Sequence, residues 1–301
     1  MLLWNENVAA DSTRGNQAAM LSSNHQEDSS PSSKFSSMKE SLRLFLSDPK
    51  LRLACAVQSL FESTMNMFVL HWTSIIGRSV RCVYGNDAVT PFGTIFSCFM
   101  TCSLLGSISF GKMIMKSSSS TSSSVTSSTN DERSQNQQQP QQQQQMMAVG
   151  TAASMMLAVA TACLATTTWL VSSTTTIGNS SSSPLLISLS PAVWNLVGTT
   201  SMLCLFEGCV GWYFPTIGTI RSLLIPDTNK SVIAGYFAVT TNILVIALYL
   251  TSGFLGVSGS FGICSVLLSM ATVCMTKLQT IIRKEWNEDH HTQEPLVSPE
   301  G

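Results

Sequence analysis

Charge is what this sequence is short of. Asp, Glu, Lys and Arg make up 11% of its 301 residues, against about 25% in an average soluble domain. A water-facing surface needs more than that, so the shortage argues against an ordinary soluble enzyme. Neither sign dominates. Sixteen basic and 17 acidic side chains leave a net charge of -1, which gives no basic face for nucleic acid. No two of the nine cysteines form a Cys-x-x-Cys pair, so zinc sites and thioredoxin-type chemistry are not indicated. The chain is too long for a small disulfide scaffold. No disulfide, metal or cofactor is expected. A signal peptide is missing too: residues 1–40 are rich in Ser, Asn and Gln, with no basic start leading into an apolar run. That composition predicts a disordered polar segment.

What is present is a series of apolar runs. A helix rises ~1.5 Å per residue and the hydrocarbon core is ~30 Å thick, so ~20 apolar residues span it. Six segments qualify: Leu53–Ile76, Pro91–Met115, Met147–Val171, Val193–Gly218, Val232–Leu255 and Gly259–Ile282. They are continuously apolar rather than alternating, which predicts helices and not a barrel. The fold class expected is an all-α membrane protein of six spans, with a half-domain over 41–283. Within it, 117–145 is a serine tract followed by a glutamine tract and is expected as a disordered insertion. Residues 284–301 form a polar tail. Asn179-Ser180-Ser181 fits the glycosylation pattern, a common chance match.

Charge also predicts orientation. Fourteen of the 16 Lys and Arg fall before the first span or after the second, fourth and sixth; Arg78 and Arg81 alone lie on the other side. Leaving out Arg14 and Arg133, which are far from any span, twelve stand against two. The positive-inside rule then puts both termini in the cytoplasm.

Two carboxylates lie well inside these spans, Glu62 and Glu207. An ionisable group at the bilayer centre costs about 2.5 kcal/mol or more, so each marks a pathway residue or an interhelix hydrogen bond. Gln58, Glu62 and Asn66 are spaced i, i+4, i+8 and share a helix face. Leu60-Phe61-Glu62 recurs as Leu205-Phe206-Glu207, each followed at the same offset by an aromatic, Phe68 and Tyr213. The copies sit in the first and fourth spans, the equivalent members of two three-span units of opposite orientation, as in the inverted repeats of secondary transporters. Pro215 is expected to kink the fourth span, and Gly208 and Gly211 permit close helix approach. Gly253, Gly256, Gly259 and Gly262 read as the turn into the last span. His71, near an outer end, reads as structural.

The residues Gln58-Ser-Leu-Phe-Glu62, His71-Trp72-Thr73, Pro91–Met100 and Leu104-Leu105-Gly106-Ser107 resemble the molybdate-anion transporter family, a branch of the major facilitator superfamily. So do Phe206-Glu207-Gly-Cys-Val-Gly211-Trp-Tyr-Phe-Pro215, Arg221 and Ile225-Pro226. The resemblance runs from about Lys39 to Ile282. It implies secondary-active transport of a small anion such as molybdate in the cell membrane, by alternating access. Glu62, Glu207, Gln58, Asn66 and Arg221 are the pathway candidates. The family has twelve spans and this chain corresponds to its second six. The family also tends to carry Phe-Arg-Val-Pro in the fifth of these, where Phe237-Ala238-Val239-Thr240 stands here. One half cannot line both walls of a cavity. The expectation is therefore a truncated chain lacking the first six spans, or two copies that pair as a homodimer. A non-transporting membrane scaffold and a transporter of another solute remain open alternatives.

Overall fold

The computed structural model describes residues 39, 42–43, 45–119, 134–177, 191–225 and 230–292. The chain divides into two units, Met1–Arg43 and Leu44–Gly301. Almost all described residues belong to the second unit, including every helix from Pro49 onward. The expected disorder of residues 1–40 and the Asn179 site lie outside the described residues, apart from Lys39.

Among the described residues every regular element is a helix: α1 Pro49–Tyr84, α2 Phe92–Ser119, α3 Ser134–Ile177, α4 Pro191–Leu224 and α5 Lys230–Thr292. All five are long and apolar enough to cross a membrane. The start of α1 shows why local sequence suffices to place a helix end. The Asp48 carboxylate accepts a hydrogen bond from the Lys50 amide at 2.8 Å, and Pro49 sits in the first turn, where its missing N–H costs nothing. At the other end Gly85, at φ 94°, closes the helix with its N–H on the Arg81 carbonyl.

The expected fifth and sixth spans meet with no loop between them. The fifth and sixth expected spans lie in a single run, α5, interrupted by Gly256 at φ 66°, ψ -177°. That backbone conformation is open essentially to glycine alone. The run is not straight. Tyr236, near its start, stacks on Phe45 at 5.9 Å, and Glu285, near its end, bonds Lys50 at 2.7 Å. A straight helix would hold these two positions ~73 Å apart, yet both meet the same end of α1. The chain therefore turns back at Gly256, one of the four glycines read as the turn into the last span.

Of 117–145, expected as a disordered insertion, residues 120–133 lie outside the described residues. The helix α2 continues to Ser119, and α3 begins at Ser134 inside the glutamine tract. Glutamine is a good helix former, and a span already nucleated propagates into such a flank at little cost. Likewise α5 runs to Thr292, into the expected tail.

The core is built around α1, whose buried face packs against α4 and α5. Residues Phe92, Phe96, Met100, Leu104 and Ile108 stay exposed along one stripe of α2, as expected for a face turned to lipid. The tightest contact joins α2 to α4. A side chain at Gly106 would strike the Gly208 carbonyl, and one at Gly211 would strike the Ser103 carbonyl. Only glycine lets these backbones approach so closely.

Pro215 sits inside α4, and the helix continues past it. Proline has no N–H to give, so the carbonyl four residues earlier, on Gly211, loses its helical donor. The Ser107 hydroxyl on α2 supplies one at 2.7 Å. Close approach and proline are thus one device: Gly211 admits α2, and α2 satisfies the carbonyl that Pro215 frees.

Candidate functional site

Polar side chains gather where α1, α4 and the first limb of α5 meet. Glu62 projects from α1 among Gln58, Ser59 and Cys55, which lie one and two turns earlier. The Tyr213 hydroxyl on α4 donates to Glu62 Oε1 at 3.3 Å. The Thr241 hydroxyl on α5 lies 3.5 Å from Glu62 Oε2 and 3.3 Å from Ser59 Oγ. Cys55 Sγ is 3.9 Å from the same Ser59 oxygen. Two turns beyond Tyr213, Arg221 places its guanidinium 5.6 Å from the Phe237 ring centre, near enough for its charge to act on both Glu62 and Tyr213. Glu62 is half-buried, so its carboxylate has one side on protein donors and one side open.

Gln58 is buried and its amide also acts on Glu62. Its carbonyl oxygen, Oε1, is buried without a hydrogen-bond partner. Such an orphan acceptor is uncommon in a folded protein and calls for an explanation.

The packing under this cluster is aromatic and reciprocal. Phe61 stacks on Tyr213 at 4.0 Å, and Phe206 packs on Phe68 at 5.1 Å. Each Leu-Phe-Glu copy thus lays its phenylalanine on the aromatic that follows the other copy. Phe61 and Phe206 themselves lie 6.2 Å apart. Aromatic contacts of this kind contribute about 0.5–1.5 kcal/mol each beyond burial.

Of the residues singled out in the sequence, the structure brings Glu62, Gln58 and Arg221 together. Asn66 does not join them; its side-chain amide donates back to the Glu62 carbonyl of its own helix at 2.8 Å. Glu207 is 8% exposed, and among the described residues no hydrogen bond or ion pair to it is recorded. His71 is buried, with Nδ1 3.1 Å from the Met67 carbonyl, consistent with its structural reading. Sequence reasoning missed Ser59 and Thr241, since hydroxyl residues are ordinary in membrane helices. The hydroxyl of Tyr213 was missed as well. Its signal was available: the two copies differ at this offset by Tyr against Phe.

The site is thus a half-buried carboxylate on hydroxyl donors, near a guanidinium, among helices long and apolar enough to cross a membrane. Comparison with known proteins gives it a family context. A major facilitator family model described as sugar transporters, 12 TM, matches residues 17–126. The chain is 36% identical over 74 residues to a molybdate-anion transporter of Takifugu rubripes, covering 25% of this chain and 14% of the relative. It is 21% identical over 252 residues to that of Xenopus tropicalis, covering 82% and 43%. Against that of Xenopus laevis it is 22% identical over 267 residues, covering 87% and 46%. The resemblance read from the motifs is thereby borne out. The chain spans less than half the length of the curated relatives it matches. No solved structure matches it.

Proposed function

We propose that the chain is a secondary-active transporter subunit for a small oxyanion, molybdate foremost, working by alternating access in the cell membrane. The observation that carries this reading is the Glu62–Tyr213–Thr241 cluster with Arg221 beside it. Hydroxyl donors and a guanidinium suit a compact oxyanion, because both can donate to its oxygens and neither carries negative charge. That the three relatives are molybdate-anion transporters supports molybdate as the cargo. The family model's description favours a sugar. A sugar site would want a free aromatic face, and here Phe61 and Tyr213 stack on each other at 4.0 Å.

The two limbs of α5 cross the bilayer separately, giving six crossings as two inverted three-span repeats. The reciprocal contacts Phe61–Tyr213 and Phe206–Phe68 support this, since a two-fold relation pairs i with j and j with i. Both termini face the cytoplasm, on the side that carries Lys50, Arg52, Lys112, Arg221, Lys230, Lys277, Arg283 and Lys284. These crossings furnish one wall of an alternating-access cavity. A second set of spans, from another copy or a first-half partner, furnishes the other.

The test is uptake of labelled molybdate into sealed vesicles holding the chain as a monomer, as a tethered dimer, or with a first-half partner. We expect uptake from one of the paired forms, competed by other tetrahedral oxyanions and not by hexoses. Hexose uptake in place of molybdate would overturn the cargo, and uptake by a demonstrated monomer would overturn the one-wall argument. A chain that carries no solute in any pairing would leave a scaffold role instead.

A further inference from the structure

The carboxylate of Glu62 occupies donors that an incoming anion would need. Tyr213 and Thr241 are its partners, at 3.3 and 3.5 Å. These are long for bonds to an ionised carboxylate, which close to about 2.5–2.7 Å when unstrained. Thr241 is shared with Ser59 at 3.3 Å. The donors are held loosely, and each hydroxyl can turn to another oxygen by rotation about one bond. One turn away, the Gln58 carbonyl oxygen is buried with no donor at all, and Gln58 is 6% exposed. An ionised Glu62 cannot satisfy it, because a carboxylate only accepts. A protonated Glu62 can, through its new O–H. The orphan oxygen is the acceptor in the cluster that no other donor among the described residues serves.

We propose that Glu62 stands in for the cargo anion and is the group through which a proton couples to its binding: protonation hands the carboxyl O–H to Gln58 Oε1 and releases the Tyr213 and Thr241 hydroxyls, with the Arg221 charge, to the oxyanion. This rests on the reading of the chain as an anion transporter. The step balances. One proton arrives from the side to which the site is open and forms the O–H bond on Glu62. The anion takes over the freed donors, and proton and anion leave together on the opposite side. No redox partner is involved. The charged and titratable groups facing Glu62 are Arg221 and Tyr213 from α4 and Cys55 from its own helix. From α5 it meets Thr241, which does not titrate. Glu207 lacks this arrangement. The aromatic at the position matching Tyr213 is Phe68, which has no hydroxyl to withhold or release.

The experiment is calorimetric titration of the chain in lipid nanodiscs, in the paired form that takes up molybdate, with molybdate added in buffers of different ionisation enthalpy at pH values where it is the dianion. The difference between buffers counts protons taken up per anion. We expect close to one for the parent, with binding weakening about tenfold per pH unit on the alkaline side. In Glu62→Gln binding persists with no proton uptake and no pH dependence. Infrared difference spectra provide a second readout. Binding should raise a protonated-carboxyl band in the parent, absent in Glu62→Gln and displaced in frequency in Gln58→Leu. Molybdate binding by the parent without proton uptake overturns the coupling and leaves the transporter reading intact. Failure of the parent to bind molybdate overturns both. Undiminished proton uptake in Glu62→Gln assigns the proton elsewhere and also overturns the proposal.

Discussion

Replacing Ser107 by Ala removes the only donor recorded for the carbonyl that Pro215 leaves open. The bond is short, 2.7 Å between Ser107 Oγ and Gly211 O, within the best range for O–H···O geometry. Its loss strands a buried carbonyl, which costs about 1–3 kcal/mol in a protein interior. In membrane helices measured couplings are smaller, about 0.6 kcal/mol on average and about 1.7 at most. The short distance and the absence of water at this depth place this one toward the upper part of that range, about 1 kcal/mol or slightly more. That is about a fivefold change in the folded-to-unfolded ratio.

Packing alone gives Ser107→Ala a cost too, so the single variant decides little. The decisive comparison is Ser107→Ala in the Pro215→Ala background. Alanine at 215 restores an N–H to the helix, and that N–H returns to the Gly211 carbonyl. Ser107→Ala should then cost only a few tenths of a kcal/mol, what remains after the carbonyl has another donor. The assay is reversible unfolding in mixed detergent micelles, followed by helical circular dichroism, for the four members of the cycle. Equal costs of Ser107→Ala in both backgrounds would refute the reasoning, and Ser107 would be a packing residue beside a proline that is satisfied in some other way.

Four more outcomes rest on the same contacts. Gly211→Ala drives a methyl group onto the Ser103 backbone, which cannot rotate away, and should destabilise the chain by about 1–3 kcal/mol in the same unfolding assay, whereas Gly218→Ala, with open space around it, should cost little. Gly256→Ala forces a Cβ into a conformation that disfavours it, at about 1–3 kcal/mol, and should raise protease sensitivity at the turn. Tyr213→Phe keeps the stack on Phe61 while removing the hydroxyl, so it should lose about 0.5–1.5 kcal/mol of stability and most of the molybdate affinity; unchanged affinity would separate Tyr213 from the site. Uptake measured against external pH at equal surface expression should be flat for Glu62→Gln and keep the parent's profile for Glu207→Gln, and three superimposable curves would exclude both carboxylates from coupling.

Much of the architecture was legible because the bilayer imposes simple lengths. All six apolar segments, Pro91 apart, could be placed from span length alone, within helices that extend beyond them. The helix ends at Asp48-Pro49 and Gly85 follow local capping chemistry. The continuity of α5 was not legible. Four glycines between 253 and 262 announced a turn, but nothing in their spacing says that a single one, Gly256, takes the whole reversal while its neighbours stay helical. The helix through the glutamine tract was hidden by a compositional rule that treats polar repeats as unstructured, although glutamine favours helix once a neighbouring span has nucleated it. In the site, the expense of an intramembrane carboxylate singled out Glu62, which the structure sets beside the Tyr213 and Thr241 hydroxyls. The same argument singled out Glu207 equally, since cost identifies a residue without naming its partners. Thr241 and Ser59 were invisible for the opposite reason: each is ordinary by itself, and only the packing of α5 on α1 brings them to Glu62.

The two glutamates show how a repeat can be broken to make a site. Their local sequences match, and their aromatic supports exchange places across the α1–α4 contact, Phe61 with Tyr213 and Phe206 with Phe68. The frame that presents each carboxylate is therefore the same. One difference is an oxygen atom at the exchanged position, present on Tyr213 and missing from Phe68. With it, Glu62 has a donor that it can hold when ionised and surrender when protonated, and α5 adds a second in Thr241. Without it, Glu207 is buried with no hydrogen-bond donor among the described residues. Symmetry of the scaffold and asymmetry of the chemistry are compatible because helix packing depends on ring shape, which Phe and Tyr share, while proton coupling depends on the hydroxyl, which they do not.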